Sequence, residues 1–134
     1  MKLAVTTVLL VCATALSACG SQGVSLKKSN PYYEGAVLFR ERCSGCHTLS
    51  VVGAQGSATS IPNRVKTNGP NFNYRKEKVE QVLYALRNGG FSGAIMPQNI
   101  VVGEQAQAVA EFLAKYSGRD AQHVPSTEIT LSDK

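Results

Sequence analysis

The run Cys43-Ser44-Gly45-Cys46-His47 constrains this chain more than any other five residues. Two thiols lie three positions apart, a spacing that a helical turn brings to one side, and an imidazole follows directly. Such a cluster has four uses. A thioredoxin-type CxxC needs a βαβ context, and no strand pattern is visible. A zinc site needs two further Cys or His ligands. A disulfide across two intervening residues closes a very small loop and stabilises little. The fourth use is covalent attachment of one haem, each thiol forming a thioether with a vinyl group and the adjacent His lying under the iron.

The N-terminus helps to choose. Met1-Lys2 is followed by an apolar run from Leu3 to Leu16, then Ser17-Ala18 before Cys19. One positive charge, an apolar stretch and a small-residue exit are the parts of a secretory signal over residues 1–18. A membrane-spanning helix needs about 20 apolar residues, and this run breaks at Ser17 and Gly20. Leu16-Ser17-Ala18-Cys19 also resembles the bacterial lipobox, which implies cleavage before Cys19 and a diacylglyceryl group on its sulfur. Ordinary cleavage nearby with a stray cysteine is the alternative. With Cys12 removed and Cys19 lipidated, zinc would be left only His123 as an additional ligand. Export therefore favours haem c as the cofactor.

The 134 residues allow one ordinary domain, and 43% apolar against 17% charged content argues against wholesale disorder. A formal charge of +5 would permit a polyanion partner. The basic residues are scattered, however, and none of their runs has the density of a basic arm. No nucleic-acid partner is expected. Removing the signal takes away Lys2 and no acidic residue, lowering +5 to +4, and haem propionates offset it further.

Residues 19–30 read as a lipidated N-terminus and flexible Gly/Ser-rich tether. Its eleven residues from Gly20 to Asn30 extend at most about 36–40 Å. Asn30 as N-cap and Pro31 at the first helical position predict a helix over Pro31–Cys43. Tyr32, Ala36, Phe39 and Cys43 form its buried stripe, and a close helix–helix contact would account for Gly35. Residues 48–73 form a long irregular connection that something must organise. Val79, Val82, Leu83 and Leu86 mark a second helix over Arg75–Asn88, stopped by Gly89-Gly90. Ala108, Val109, Phe112, Leu113 and Tyr116 mark a third over Glu104–Tyr116, closed by Gly118. Residues 119–134 read as a polar, disordered tail.

A sixth iron ligand belongs on a loop after the second helix. Once Met1 is gone the chain has one methionine, Met96, followed by Pro97 in a Gly-containing loop. Proline fixes the backbone beside the thioether. A gap-filling core role is the commoner fate of methionine, and His123 is the other possible ligand.

Residues 31–118 resemble the small class I cytochromes c. The matching pieces are Gly35-x-x-x-Phe39-x-x-x-Cys43, CSGCH with Thr48-Leu49, Gly69-Pro70-Asn71-Phe72, Asn88-Gly89, Met96-Pro97 and the Phe112/Tyr116 helix. The resemblance implies an all-α fold of three main helices with loops enclosing one covalent haem. It implies that the Pro70 carbonyl accepts a hydrogen bond from Nδ1–H of His47, and that Phe72 lines the haem where Leu is more usual. The loop over residues 54–67 looks longer than in the shortest members, leaving Arg64, Lys66, Tyr74 and Arg75 as unranked partners for the propionates.

With His47 and Met96 on the iron no substrate site is open, which suits one-electron transfer and not bond-making catalysis. An anchored monomer of this kind would carry electrons between membrane redox complexes of a respiratory chain. A quinol-oxidising donor and a terminal haem–copper oxidase acceptor are plausible from the family. It would act on the outer face of the cytoplasmic membrane or elsewhere in the bacterial envelope. The alternatives are a fixed haem relay subunit of a larger assembly and, without Met96 ligation, a five-coordinate haem sensor or peroxidase.

Overall fold

The fold is that of a computed structural model and is described for residues 23–91 and 95–120. The signal, Cys19, residues 92–94, His123 and the tail from 121 lie outside the described residues. Three helices dominate: α1 over Tyr33–Cys43, α2 over Val79–Asn88 and α3 over Gly103–Tyr116. Between α1 and α2 two short strands, β1 (Thr48–Leu49) and β2 (Ala54–Gln55), pair antiparallel. Strands of two residues leave no readable alternation, and the all-α reading of the fold stands.

Helix α1 starts at Tyr33, later than Pro31, and its N-cap is Tyr32 rather than Asn30. Asn30 closes a turn instead. Its side-chain oxygen accepts the Tyr32 N–H at 2.9 Å, the local bonding that lets Asn compete with a helix. Its amide donates to the Tyr116 hydroxyl at 3.0 Å, tying the start of α1 to the end of α3. Ala36 and Phe39 of the expected stripe are fully buried.

Gly35 explains itself at the crossing of α1 and α3. A Cβ there would strike the Ala108 carbonyl oxygen and sit 2.7 Å from Phe112 Cβ. The backbones approach where no side chain intervenes, and the rings interlock beside that point. Phe39 and Phe112 lie 5.9 Å apart between centroids, Phe112 and Tyr116 5.3 Å, and Tyr32 meets Tyr116 edge-on at 5.9 Å. Helix α3 also packs on α2, with Val82 and Leu86 joining Val109 and Leu113 in one core.

Arg75–Lys78 do not belong to α2, which begins at Val79 after extended Lys78. The segment over 72–77 is tied to the end of α3 instead. Gly118 N–H donates to Phe72 O at 2.8 Å and Asp120 N–H to Asn73 O at 2.9 Å. Glu77 N–H donates to Ser117 Oγ at 2.9 Å, and the Lys76 ammonium reaches the Ala114 carbonyl. Tertiary bonds to the end of α3 thus override the local helical pattern. They also extend the domain to Asp120, with the Arg119 guanidinium 4.3 Å above the Tyr116 ring, so the first two residues of the expected tail are docked.

The tether is shorter than expected as well. Ser25 N–H donates to Val51 O at 2.9 Å, while Val24 and Leu26 pack against the core. The connection 48–73 is organised by its own polar side chains. Thr48 and Ser57 exchange two backbone-to-hydroxyl bonds of 3.0 Å, and Asn68 donates to Gly56 O at 2.7 Å.

Gly35→Ala is expected to destabilise the protein by about 1–3 kcal/mol, the usual cost of overpacking, because the obstruction is backbone that cannot rotate away. Guanidinium unfolding of the two proteins would measure it, and an unchanged midpoint would contradict the close crossing.

Candidate functional site

Where α1 ends, the chain makes one more turn. Cys46 N–H and His47 N–H both donate to Cys43 O, at 3.1 and 3.0 Å, and Ser44 Oγ donates to Arg40 O at 2.5 Å. This turn directs Cys43, Cys46 and His47 at one cavity of about 550 Å³, within the range of pockets for cofactor-sized ligands. Pro70, Phe72, Met96 and Pro97 line the same cavity. Every haem-site residue expected from the sequence is therefore brought to one place. Cys19 lies outside the described residues.

His47 is held on several sides. Its Nδ1 lies 3.2 Å from Pro70 O, and a carbonyl can only accept, so Nδ1 carries the proton and Nε2 the lone pair. Phe72 stacks on the imidazole at 4.8 Å between centroids and 17° between planes. Gly69 N–H donates to Cys46 O at 2.6 Å, which fixes the Gly69-Pro70 backbone against the ring. A Cβ on Gly69 would lie 2.9 Å from Nε2. Burial lowers the His47 pKa; the bond to Pro70 works against this, and nearby Arg75 adds to the lowering. The ring is thus kept neutral and able to donate its lone pair to a metal.

The thiols are not disulfide-bonded. Burial and the neighbouring Cys46 push the Cys43 thiol up to about 12. Redox-active thiols have the opposite shift, so Cys43 is a poor attacking thiol. Thioether formation removes the titrating proton altogether.

One feature of the wall went unread in the sequence. Glu77 is 4% exposed and is the one carboxylate among the described residues lining the cavity. Arg75 Nε meets its Oε1 at 2.6 Å. Burial raises the Glu77 pKa, and Arg75 opposes the rise by charge and hydrogen bond. In the sequence Glu77 sits within Arg-Lys-Glu-Lys, which reads as a solvated helix face, and no local signal marks it. Of the four propionate candidates, Arg64, Lys66 and Arg75 line the cavity, whereas Tyr74 is not among its lining residues and is 56% exposed.

The residues fit haem c. Leu86 from α2 and Leu113 from α3 help supply the apolar wall a macrocycle needs. Arg42, Arg64, Lys66 and Arg75 set four cations against the single carboxylate of Glu77, an excess suited to a group carrying two carboxylates.

The family model for cytochrome c matches residues 32–117. The chain belongs to the cytochrome c family. It is also similar to cytochrome c-551 of Bacillus subtilis (strain 168), 26% identical over 121 residues that cover 85% of this chain and 96% of that protein. As a cytochrome c the chain carries one covalent haem c and serves haem-based electron transfer, members being generally carriers rather than enzymes and typically exported. Among the described residues no helix is long and apolar enough to cross a membrane.

Gly69→Ala in this cytochrome c is expected to push on the imidazole rather than strain the backbone, costing about 1–3 kcal/mol and perturbing the visible spectrum of the haem. An unfolding midpoint and spectrum identical to wild type would refute the close approach of Gly69 to His47.

Proposed function

We propose that Cys43 and Cys46 hold the haem through two thioethers, that His47 and Met96 ligate its iron, and that the protein carries single electrons while anchored by lipid on Cys19. The observation that carries this reading is the convergence of the CSGCH turn and Met96, fifty residues apart, on one cavity. When bound, haem c supplies an iron that cycles between the ferric and ferrous states. The protein's own groups do the rest. Pro70 O holds the Nδ1 proton of His47 and so keeps Nε2 aimed and basic. Phe39 and Phe72, both buried, keep water from that side. Met96 is half-buried beside Pro97, and a thioether in the sixth position favours the reduced state.

The domain boundary bears on anchoring. Val24 is packed against the core and lies five positions after Cys19, a separation that no chain conformation can stretch beyond roughly 17 Å. A domain so held would work along the membrane surface, where effective concentration replaces tight binding. A quinol-oxidising complex as donor and a terminal oxidase as acceptor fit that position.

Met96→Ala is expected to keep covalent haem, lose the near-infrared methionine-to-iron band of the oxidised protein and lower the reduction potential. An unchanged potential would refute ligation, and absence of that band in the wild type at neutral pH would favour a five-coordinate sensor or peroxidase. Cys19→Ala is expected to release the protein from membranes without changing its spectrum. Full retention in the membrane fraction would sink the anchor.

A further inference from the structure

The basic rim of the cavity is not uniform. A second, smaller hollow adjoins the first and shares Arg64 and Arg75 with it. Arg64 and Lys66 are exposed on the loop over residues 61–68. Arg75 is different, because its surroundings fix it. Its side chain is 48% exposed while that of Glu77 is 5% exposed, and the two meet through Nε. Its guanidinium carbon lies 5.9 Å from the centroid of the Phe91 ring. Glu77 is itself anchored, since its N–H is bonded to Ser117 at the end of α3.

We infer that Arg75 binds a carboxylate of the haem and that Glu77 is the positioning residue that orients it. The inference rests on the reading that haem c occupies this cavity. A guanidinium is a planar fork, and a carboxylate on its Nε side leaves the Nη1–Nη2 edge facing away, where a second carboxylate can be held bidentately. Without the cation, Glu77 and a haem carboxylate would be like charges in one poorly solvated wall. Arg75 between them offsets both, which gives a buried Glu77 a role that packing alone does not. The other cations facing the cavity are Arg42 on α1 and Arg64 and Lys66 on the loop, while His47 faces it as a neutral ring. Those stretches of α2 and α3 that line it are uncharged.

The test uses full-length holoprotein whose haem carries carbon-13 in both carboxyl groups, so that redox-difference infrared bands of the haem separate from those of Glu77. Arg75→Gln is expected to move one labelled carboxylate band. It should also raise the pH at which the reduction potential inflects by about one to three units, the usual effect of an adjacent arginine on a carboxyl. Glu77→Gln should move the same band less, with wild-type haem content. Arg64→Gln and Lys66→Gln, which remove exposed loop charges from the same cavity, should move that band and the profile less than Arg75→Gln does. Superimposable bands and profiles for wild type and Arg75→Gln would overturn the proposal, as would the shift appearing in Arg64→Gln or Lys66→Gln alone. Should Arg75→Gln not fold, Arg75→Lys decides, because it keeps the charge but not the fork: the band is expected to move, and an unmoved band overturns the assignment. Wild-type protein without haem retained under denaturing conditions would instead sink the attachment through Cys43 and Cys46, a distinguishable failure.

Discussion

The crossing of α1 over α3 is the constraint on which the rest depends. Gly35 lets the two backbones touch, and Phe39, one turn further along α1, then fills the gap against Phe112 and Phe72. That contact fixes the direction of α1, and α1 ends at Cys43. The position of CSGCH is therefore set by packing two turns upstream of it. Asn30 adds a second pin by bonding the Tyr116 hydroxyl at the far end of the same pair. Each end of α1 is thus located before the cofactor contributes anything.

A cavity of about 550 Å³ lies between the helices and the loops, a volume suited to a cofactor. Helices α2 and α3 present apolar side chains to it, and the loops that close it add Phe72, Phe91, Met96 and Ile100. The connection 48–73 is held both by burying Leu49, Val52 and Phe72 in the core and by hydrogen bonds among its Ser, Thr and Asn side chains and the backbone. Filling the cavity is the step that completes the core. Covalent attachment makes the filling permanent.

What could be read in the sequence was local. The cysteine spacing, the following His, the isolated Met-Pro and the apolar faces of three helices each depend on residues close in the chain. The bond from His47 to Pro70 came with the family resemblance, because no spacing rule links positions 23 residues apart. The start of α2 was misplaced because Glu77 N–H is taken by Ser117 Oγ at the end of α3 while Lys78 stays extended and caps α2, a long-range choice that periodicity does not encode. Docking of the tether rests on Val24 and Leu26, two apolar residues in a polar stretch, too few to outweigh the Gly/Ser-rich context.

Glu77 shows the same limit in electrostatic form. In the sequence the charges of Arg-Lys-Glu-Lys are interchangeable members of a solvated run. In the fold they separate: Lys76 reaches the carbonyl of Ala114 and Glu77 turns into the cavity wall with Arg75. This changes how the net positive charge is to be understood. Four cations border the cavity, where their fields act on the cofactor's carboxylates before they act on any partner. The positive charge left to steer docking is correspondingly smaller than the formal +5, and falls to residues away from the cavity, such as exposed Lys27 and Lys28. Long-range attraction to an acidic partner should then be weak and easily screened. Under the proposed anchoring through Cys19, confinement at the membrane would supply the encounter instead.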